Sequence, residues 1–316
     1  MKVLVIGGAG FIGSNVVDRL IDEKYDVTVI DNLSTGKIEN VNSKASFYLC
    51  DIRDVERLNV VFEVEKPEIV IHHAAQIDVQ KSLRNPAEDA VINIVGTINV
   101  LECCKNWEAK KIVYASSAAV YGDPEYLPVD EEHKVDPISF YGISKHTPEH
   151  YIKVYSQLYG MKYTILRYAN VYGIRQEPKG EGGVVSIFLD KFLKKEQPTI
   201  FGNGEQTRDF IYVEDIVKAN LNALKNGDNE IINVSTNQAV TVNELYKSMK
   251  EIFESSMSVN YSEERKGDIL HSYLDNKKAK DKLEFSNEYE IKEGLRKTIE
   301  YYREIYKGMG EVAMSE

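Results

Sequence analysis

The chain begins with a short apolar run followed by closely spaced glycines, and this feature constrains its fold more than any other. Residues 2–6 are typical of a strand, and residues 14–21 have the apolar spacing of a helix. Between them, Gly7, Gly10 and Gly13 recur at every third position, and Gly8, Gly10 and Gly13 match a dinucleotide-binding loop. Glycine suits this loop because the backbone must turn sharply and closely approach a pyrophosphate. The helix N-terminus would then receive the phosphates.

An acidic residue follows the second predicted strand, which covers residues 26–30. Asp31 lies 18 residues after Gly13. An acid at this place accepts the ribose hydroxyls of NAD and repels the additional phosphate of NADP. The glycines alone would indicate only a flexible turn, but the order strand, loop, helix, strand and acid predicts an NAD site.

Predicted strands and helices continue to alternate after this unit. Strands are expected at residues 47–50, 69–72, 111–115 and 162–167, with helices at 55–64, 86–105 and 141–160. This order predicts an α/β fold with a doubly wound parallel Rossmann sheet. We expect the NAD-binding domain to cover residues 1–170, with segments near 209–236 returning to it. A smaller C-terminal lobe, mainly residues 171–316, would bind the substrate.

A tyrosine and a lysine four positions apart form the second informative motif. Tyr141 and Lys145 would share one face of a helix, where the ammonium lowers the pKa of the phenol. Such a pair is common on ordinary surface helices, but here it follows a dinucleotide loop and lies 24 positions after Ser117. Together these residues predict a hydride-transfer site in which Tyr141 is the base.

Composition excludes several other classes of protein. The net charge of −11 disfavours nucleic-acid binding as the main activity, and we find no apolar run of the ~18 residues that a membrane span requires. Cys50, Cys103 and Cys104 have neither a metal-binding spacing nor a disulfide framework. His72 and His73 are adjacent in a strand and would point to opposite faces. We therefore expect a cytoplasmic enzyme without a metal.

The motifs together resemble the extended short-chain dehydrogenase/reductase superfamily, and within it the UDP-glucose 4-epimerases. The resemblance covers nearly the whole chain. It is carried by residues 7–13, 31–36, 51–52, 72–75, Asn93, 116–122, 141–145, 166–173, 208–215 and 265–268.

The resemblance implies a set of site residues and a cofactor, which is NAD. The catalytic residues would be Ser117, Tyr141 and Lys145. Those binding NAD would be Gly7, Gly10, Phe11, Ile12, Gly13, Asp31, Asn32, Ser34, Thr35, Gly36, Asp51, Ile52, His73, Ala74, Ala75, Gln76, Asn93, Ser116, Tyr141, Lys145, Tyr168 and Val171. Those binding a UDP-sugar would be Ser117, Tyr141, Asn170, Val184, Thr199, Phe201, Arg208, Arg265, Asp268 and Ser272.

The reaction is indicated by the positions that differ between subfamilies. Related 4,6-dehydratases have an Asp-Glu pair, and decarboxylases a glutamate, where this chain has Ala118 and Ala119. The remaining groups can oxidise C4 of the sugar transiently and reduce it again, as in an epimerase that interconverts UDP-glucose and UDP-galactose. A UDP-glucuronate epimerase or decarboxylase, a net reductase and a non-catalytic NAD-sensing scaffold remain alternatives.

Two further expectations come from the same resemblance. Ser272 lies seven positions after Arg265, where a small residue leaves room for a 2-N-acetyl group, although Tyr273 would take this place if the loop shifts by one. The helices at 86–105 and 141–160 carry apolar residues on more than one face, which favours a homodimer through a four-helix bundle; packing within one chain is the alternative.

Overall fold

The computed structural model describes residues 1–177, 183–264 and 269–313. In chain order, the strands are β1 (Lys2–Ile6), β2 (Asp26–Asp31), β3 (Ser46–Leu49), β4 (Ile69–His72), β5 (Lys111–Ser117), β6 (Lys162–Tyr168), β7 (Asn170–Tyr172), β8 (Thr199–Phe201), β9 (Thr207–Arg208), β10 (Phe210–Tyr212), β11 (Glu230–Val234), β12 (Val240–Thr241) and β13 (Asn260–Ser262). The helices are α1 (Phe11–Asp22), α2 (Val55–Glu65), α3 (Val79–Arg84), α4 (Pro86–Ala90), α5 (Gly96–Asn106), α6 (Phe140–Tyr159), α7 (Val184–Leu193), α8 (Val213–Ala223), α9 (Val242–Phe253), α10 (Lys277–Leu283) and α11 (Ile291–Ala313).

Seven strands form one central sheet in the order β11-β6-β5-β4-β1-β2-β3. Every neighbouring pair in it is parallel. The strand order reverses between β1 and β4, and a reversal of this kind opens a crevice beyond the carboxyl ends of the strands. The predicted α/β fold with a doubly wound parallel sheet is confirmed.

The sheet is buried on both faces, which explains its continuous apolar sequences. Val3 and Val5 belong to one hydrophobic core, whereas Leu4 and Ile6 belong to another. Since successive strand residues point to opposite faces, these two cores cover the two sides of the sheet. Helices α1 and α8 pack on the first side, and α2 and α5 pack on the second.

The predicted helix at residues 86–105 is interrupted. A π-helical turn at Val91–Val95 separates α4 from α5. One extra residue in a helical turn hardly changes the apolar pattern, so this interruption could not be predicted from the sequence. The short helix α3 was also not predicted; its N-terminus is capped by Asp78, which accepts hydrogen bonds from the backbone of Gln80 and Lys81.

The second half of the chain contains shorter elements around a third hydrophobic core. β7 pairs with β10, β9 with β12 and β8 with β13. Helices α7, α9 and α11 contribute Phe188, Tyr246 and Leu295 to the core. β11 returns to the edge of the central sheet, beside β6. Of the helices in the described part of the chain, none has the length and apolarity needed to cross a bilayer.

Candidate active site

A cavity of about 1070 Å³ lies at the carboxyl edge of the central sheet. The glycine loop, the ends of β2, β5 and β6 and the start of α6 form one part of its wall, while α7, β8 and β9 form another. The predicted residues that line it are Gly7, Gly10, Phe11, Ile12, Gly13, Asp31, Asn32, Ser34, Thr35, Asp51, Ile52, His73, Ala74, Ala75, Gln76, Ser116, Ser117, Tyr141, Lys145, Tyr168, Asn170, Val171, Val184, Thr199, Phe201 and Arg208.

The glycine loop forms a tight cradle that fits a dinucleotide. Gly7 has φ +82°, and a Cβ placed on it would lie 2.6 Å from the Ala74 backbone nitrogen. A Cβ on Gly13 would collide with the carbonyl oxygen of Gly7. Helix α1 begins at Phe11 without a side-chain cap, and Gly10, Phe11 and Gly13 line the cavity. Free backbone N–H groups at such a helix end can bind the pyrophosphate of NAD.

Asp31 lines the cavity and also makes a hydrogen bond to the glycine loop. Its carboxylate accepts hydrogen bonds from the backbone nitrogens of Ala9, at 3.0 Å, and Leu33, at 2.8 Å. Burial raises the pKa of this carboxyl group, and the two N–H donors partly oppose that effect. The glycine loop and Asp31 are therefore linked directly.

A second carboxylate, Asp51, lies close to Asp31 in the wall of the cavity. Arg53 donates two side-chain hydrogen bonds to it, at 2.9 and 2.8 Å, and Asn32 donates a third at 2.7 Å. The bonds from Arg53 hold the pKa of Asp51 well below its usual value. Sequence analysis missed Arg53, although its position two residues after the predicted acid was a usable signal.

Ser117, Tyr141 and Lys145 all line the cavity. Ser117 ends β5, and its hydroxyl accepts a hydrogen bond from the backbone of Ala119 at 3.2 Å. Ser139 caps α6, so Tyr141 lies in the first turn of the helix and Lys145 in the next. The Tyr141 backbone nitrogen donates to the Ser82 hydroxyl at 3.1 Å, which ties the start of α6 to α3.

Lys145 is buried, with 3% of its surface exposed. Its ammonium lies over the ring of Tyr114, 4.7 Å from the ring centre. Burial lowers the pKa of Lys145 to about 8, while the carboxylates of Glu149 and Asp89 act in the opposite direction. Lys145 is therefore still mainly an ammonium at neutral pH, and a nearby positive charge favours the ionised form of a phenol.

The two histidines at the end of β4 are buried and make separate contacts. His72 bonds to the Thr97 hydroxyl at 3.0 Å, and His73 bonds to the Tyr168 hydroxyl at 3.2 Å. Burial, with a contribution from Lys145, lowers the pKa of each imidazole to about 3. Within residues 1–177, 183–264 and 269–313, no cluster of three His, Cys, Asp or Glu side chains could hold a metal ion.

Some predicted residues do not line the cavity. Gly36 packs beside Asp31, and Asn93 is buried, where its side chain binds the backbone of Gln76 and the hydroxyl of Ser144. Ser272 donates a backbone hydrogen bond to Thr207 at 3.2 Å. Arg265 and Asp268 lie outside the described residues.

Arg208, which comes from β9, also lines the cavity. Its guanidinium donates to the Thr207 carbonyl at 2.8 Å. The neighbouring Asp209 is buried and accepts bonds from Thr236 and Asn237. Burial raises the pKa of Asp209 to about 6.

Comparison with known proteins places this geometry in a family. Residues 3–235 match the model of the NAD dependent epimerase/dehydratase family. The chain belongs to that family. It is 51% identical to a putative UDP-glucose 4-epimerase of Methanocaldococcus jannaschii, over 95% of this chain and 98% of that protein. The resemblance predicted from the sequence and NAD as the cofactor are both confirmed.

Two solved structures have the same fold over nearly their full length. UDP-glucose 4-epimerase of Thermotoga maritima, with UDP-glucose, has a TM-score of 0.95 at 47% identity and covers 97% of this chain and 100% of its own. UDP-N-acetylglucosamine 4-epimerase of Methanobrevibacter ruminantium has a TM-score of 0.92 at 37% identity, covering 96% and 98%. This chain is thus a member of the UDP-sugar 4-epimerase group of an NAD-dependent enzyme family.

Proposed function

We propose that this protein interconverts UDP-glucose and UDP-galactose by inverting C4 of the sugar, and that it also accepts the N-acetyl forms. The observation that supports this most is the shared cavity: Ser117, Tyr141 and Lys145 line the same space as the NAD loop and Arg208. The positions after Ser117 are Ala118 and Ala119, so this turn offers no carboxylate for elimination or decarboxylation. Only proton and hydride chemistry is left for these residues.

The mechanism follows from the roles that these side chains can take. Tyr141, as the phenolate, accepts the proton of the sugar 4-hydroxyl, directly or through Ser117. Lys145 stabilises the phenolate and holds the nicotinamide ribose. NAD, when bound, supplies the reversible hydride acceptor. The 4-keto sugar then presents its opposite face to the returning hydride, and Tyr141 gives the proton back to the C4 oxygen, so that C4 is inverted.

The second half of the chain would bind the UDP group. Arg208 has the planar donor geometry that suits a diphosphate. Asn170, Val184, Thr199 and Phe201 line the same cavity and would contact the phosphates and the uracil. Arg265, Asp268 and Ser272 complete the proposed set. This division assigns NAD to residues 1–170 with the returning segments near 209–236, and the nucleotide sugar mainly to residues 171–316.

A panel of three substrates tests the proposal. Purified protein is incubated separately with UDP-glucose, UDP-N-acetylglucosamine and UDP-glucuronate, and the products are identified by NMR. We expect the first two to be epimerised at C4 and the third to be unchanged. Turnover of UDP-glucuronate alone would assign the site to that acid, net reduction would make the protein a reductase, and no turnover would favour the NAD-sensing scaffold.

We also propose a homodimer formed through the neighbouring helices α5 and α6 and the π-helical turn before α5. Leu101 and Ile152 face the core, but the opposite side of these helices leaves apolar residues exposed. The exposed set is Val91, Val95, Tyr151, Val154 and Leu158. Such a patch on packed helices is suited to a four-helix interface between two copies.

Sedimentation of the parent and two variants tests the dimer. We expect a dimer at micromolar concentration and a monomer for Leu158→Lys, because a charge would lie in the apolar interface. Val64→Lys is the matched control, since Val64 is similarly exposed on α2, away from the patch. A monomeric parent contradicts the proposal, as does dissociation of both variants.

A further inference from the structure

A buried carboxylate lies behind the reacting groups, and the proposed mechanism does not use it. Glu149 lies on α6 one turn after Lys145 and is 1% exposed. Its two oxygens form a paired interaction with Arg167 on β6, at 3.0 and 2.6 Å. The hydroxyl of Ser116 donates to the same carboxylate at 2.6 Å.

This ion pair is part of a longer buried network. Arg167 donates to the Tyr121 hydroxyl at 2.9 Å, and Tyr121 donates to the Asn233 side chain at 2.7 Å. The network therefore joins α6 to β5, β6 and β11. A buried ion pair is weak evidence for stability, because removing both charges from water offsets most of their attraction. A role in positioning the groups of the active site would explain why this buried ion pair is present.

Two contacts of Glu149 lead to the reacting groups. Ser116 directly precedes Ser117, so a fixed Ser116 side chain also fixes the end of β5. Lys145 and Glu149 are four residues apart in a helix and therefore share a face. The carboxylate acts on Lys145 where burial opposes a positive charge.

Several other groups surround Lys145, and their charges also act on it. Asp89 adds a second negative charge from α4, and the Tyr114 ring adds its electron-rich face from β5. The imidazoles of His72 and His73 are neutral near pH 7, since the pKa of each is lowered to about 3. On α6 itself, Tyr141 lies one turn before Lys145, and the imidazole of His146 lies 4.0 Å from the Glu149 carboxylate. Among these groups, Glu149 combines a charge with a direct hydrogen bond to the strand that carries Ser117.

We propose that Glu149 is a positioning residue that keeps Lys145 as an ammonium and aligns Ser117 through Ser116. This inference rests on the proposed function for its effect on turnover. The expected effect of Glu149 on NAD affinity requires only that Lys145 holds the cofactor. The two effects are measured separately.

The test compares Glu149→Gln with the parent across pH. Glutamine keeps the shape and an acceptor for Ser116 but removes the charge, so the pKa of Lys145 falls below about 8. The basic limb of the kcat profile and the weakening of NAD affinity should both move to lower pH by about one unit, with kcat about fivefold lower near pH 8 and KM unchanged. Glu149→Asp, which keeps the charge, should largely restore both profiles.

Further variants keep the test decisive. If Glu149→Gln does not fold, because Arg167 is left unpaired, Glu149→Gln with Arg167→Met removes both charges and should show the same shift. Ser116→Ala removes the hydroxyl that donates to Glu149 but no charge, so it should lower kcat without moving the pH dependence of NAD affinity, whatever the affinity itself becomes. The inference is overturned if a folded variant without the Glu149 charge shows the same pH dependence of kcat and of NAD affinity as the parent. A shifted NAD profile in a protein whose parent turns over no UDP-sugar instead overturns the proposed function.

Discussion

Replacing Tyr141 by phenylalanine should lower kcat by ~10²–10⁴-fold, because general-base catalysis normally contributes that much and only the proton acceptor is lost. NAD and UDP-sugar affinities should stay close to those of the parent, since the ring and its packing are kept. The measurement is the initial rate of UDP-galactose conversion together with the binding of both ligands.

Two controls make the result specific. Tyr159→Phe changes an exposed tyrosine at the other end of the same helix and should leave the rate unchanged. Lys145→Ala should reduce both turnover and NAD retention, because the lysine has both roles. A Tyr141→Phe enzyme that keeps more than about a tenth of the parent rate would show that another group is the base.

The central sheet could be predicted because its strands are buried on both faces. Burial on both sides produces uninterrupted apolar runs, and β1 and β4 begin and end where those runs do. The glycine loop was equally readable, since steric contacts with Ala74 and Gly7 leave little choice of residue at Gly7 and Gly13. In both cases the fold restricts which residues can occupy consecutive positions, either by burial or by steric contact, and the restriction is visible as a local sequence pattern.

The surroundings of Lys145 could not be predicted in the same way. Tyr114 appears in the sequence as one more apolar strand residue, although its ring lies against the ammonium. The partners of Glu149 come from β5 and β6, and nothing in the spacing along α6 indicates them. Only its place four residues after Lys145 was a signal. Such contacts depend on how distant strands and helices are brought together.

Ser272 shows a position whose backbone is fixed but whose proposed role still depends on the resemblance. Thr207 donates to the carbonyl of Leu270 at 3.0 Å, and Ser272 donates back to Thr207 at 3.2 Å. These two bonds set the register of the segment against β9, the strand that places Arg208 in the cavity. The next residue, Tyr273, accepts instead from Val129 through its carbonyl. This pairing places the Ser272 backbone beside β9, and the proposed role of Ser272 rests on that nearness together with the resemblance.

Ser272→Tyr should therefore remove activity on UDP-N-acetylgalactosamine while UDP-galactose is still converted. Overfilling a packed site by a few atoms costs roughly 1–3 kcal/mol, which corresponds to about tenfold to a hundredfold in kcat/KM between the two substrates. The measurement is kcat/KM for each sugar in the parent and the variant. Ser272→Ala is the matched control, because it stays small and should convert both sugars. A parent that leaves UDP-N-acetylgalactosamine untouched contradicts the assignment. An equal loss on both sugars in Ser272→Tyr would instead indicate disruption of the segment, since a wall beside the 2-substituent must discriminate between them.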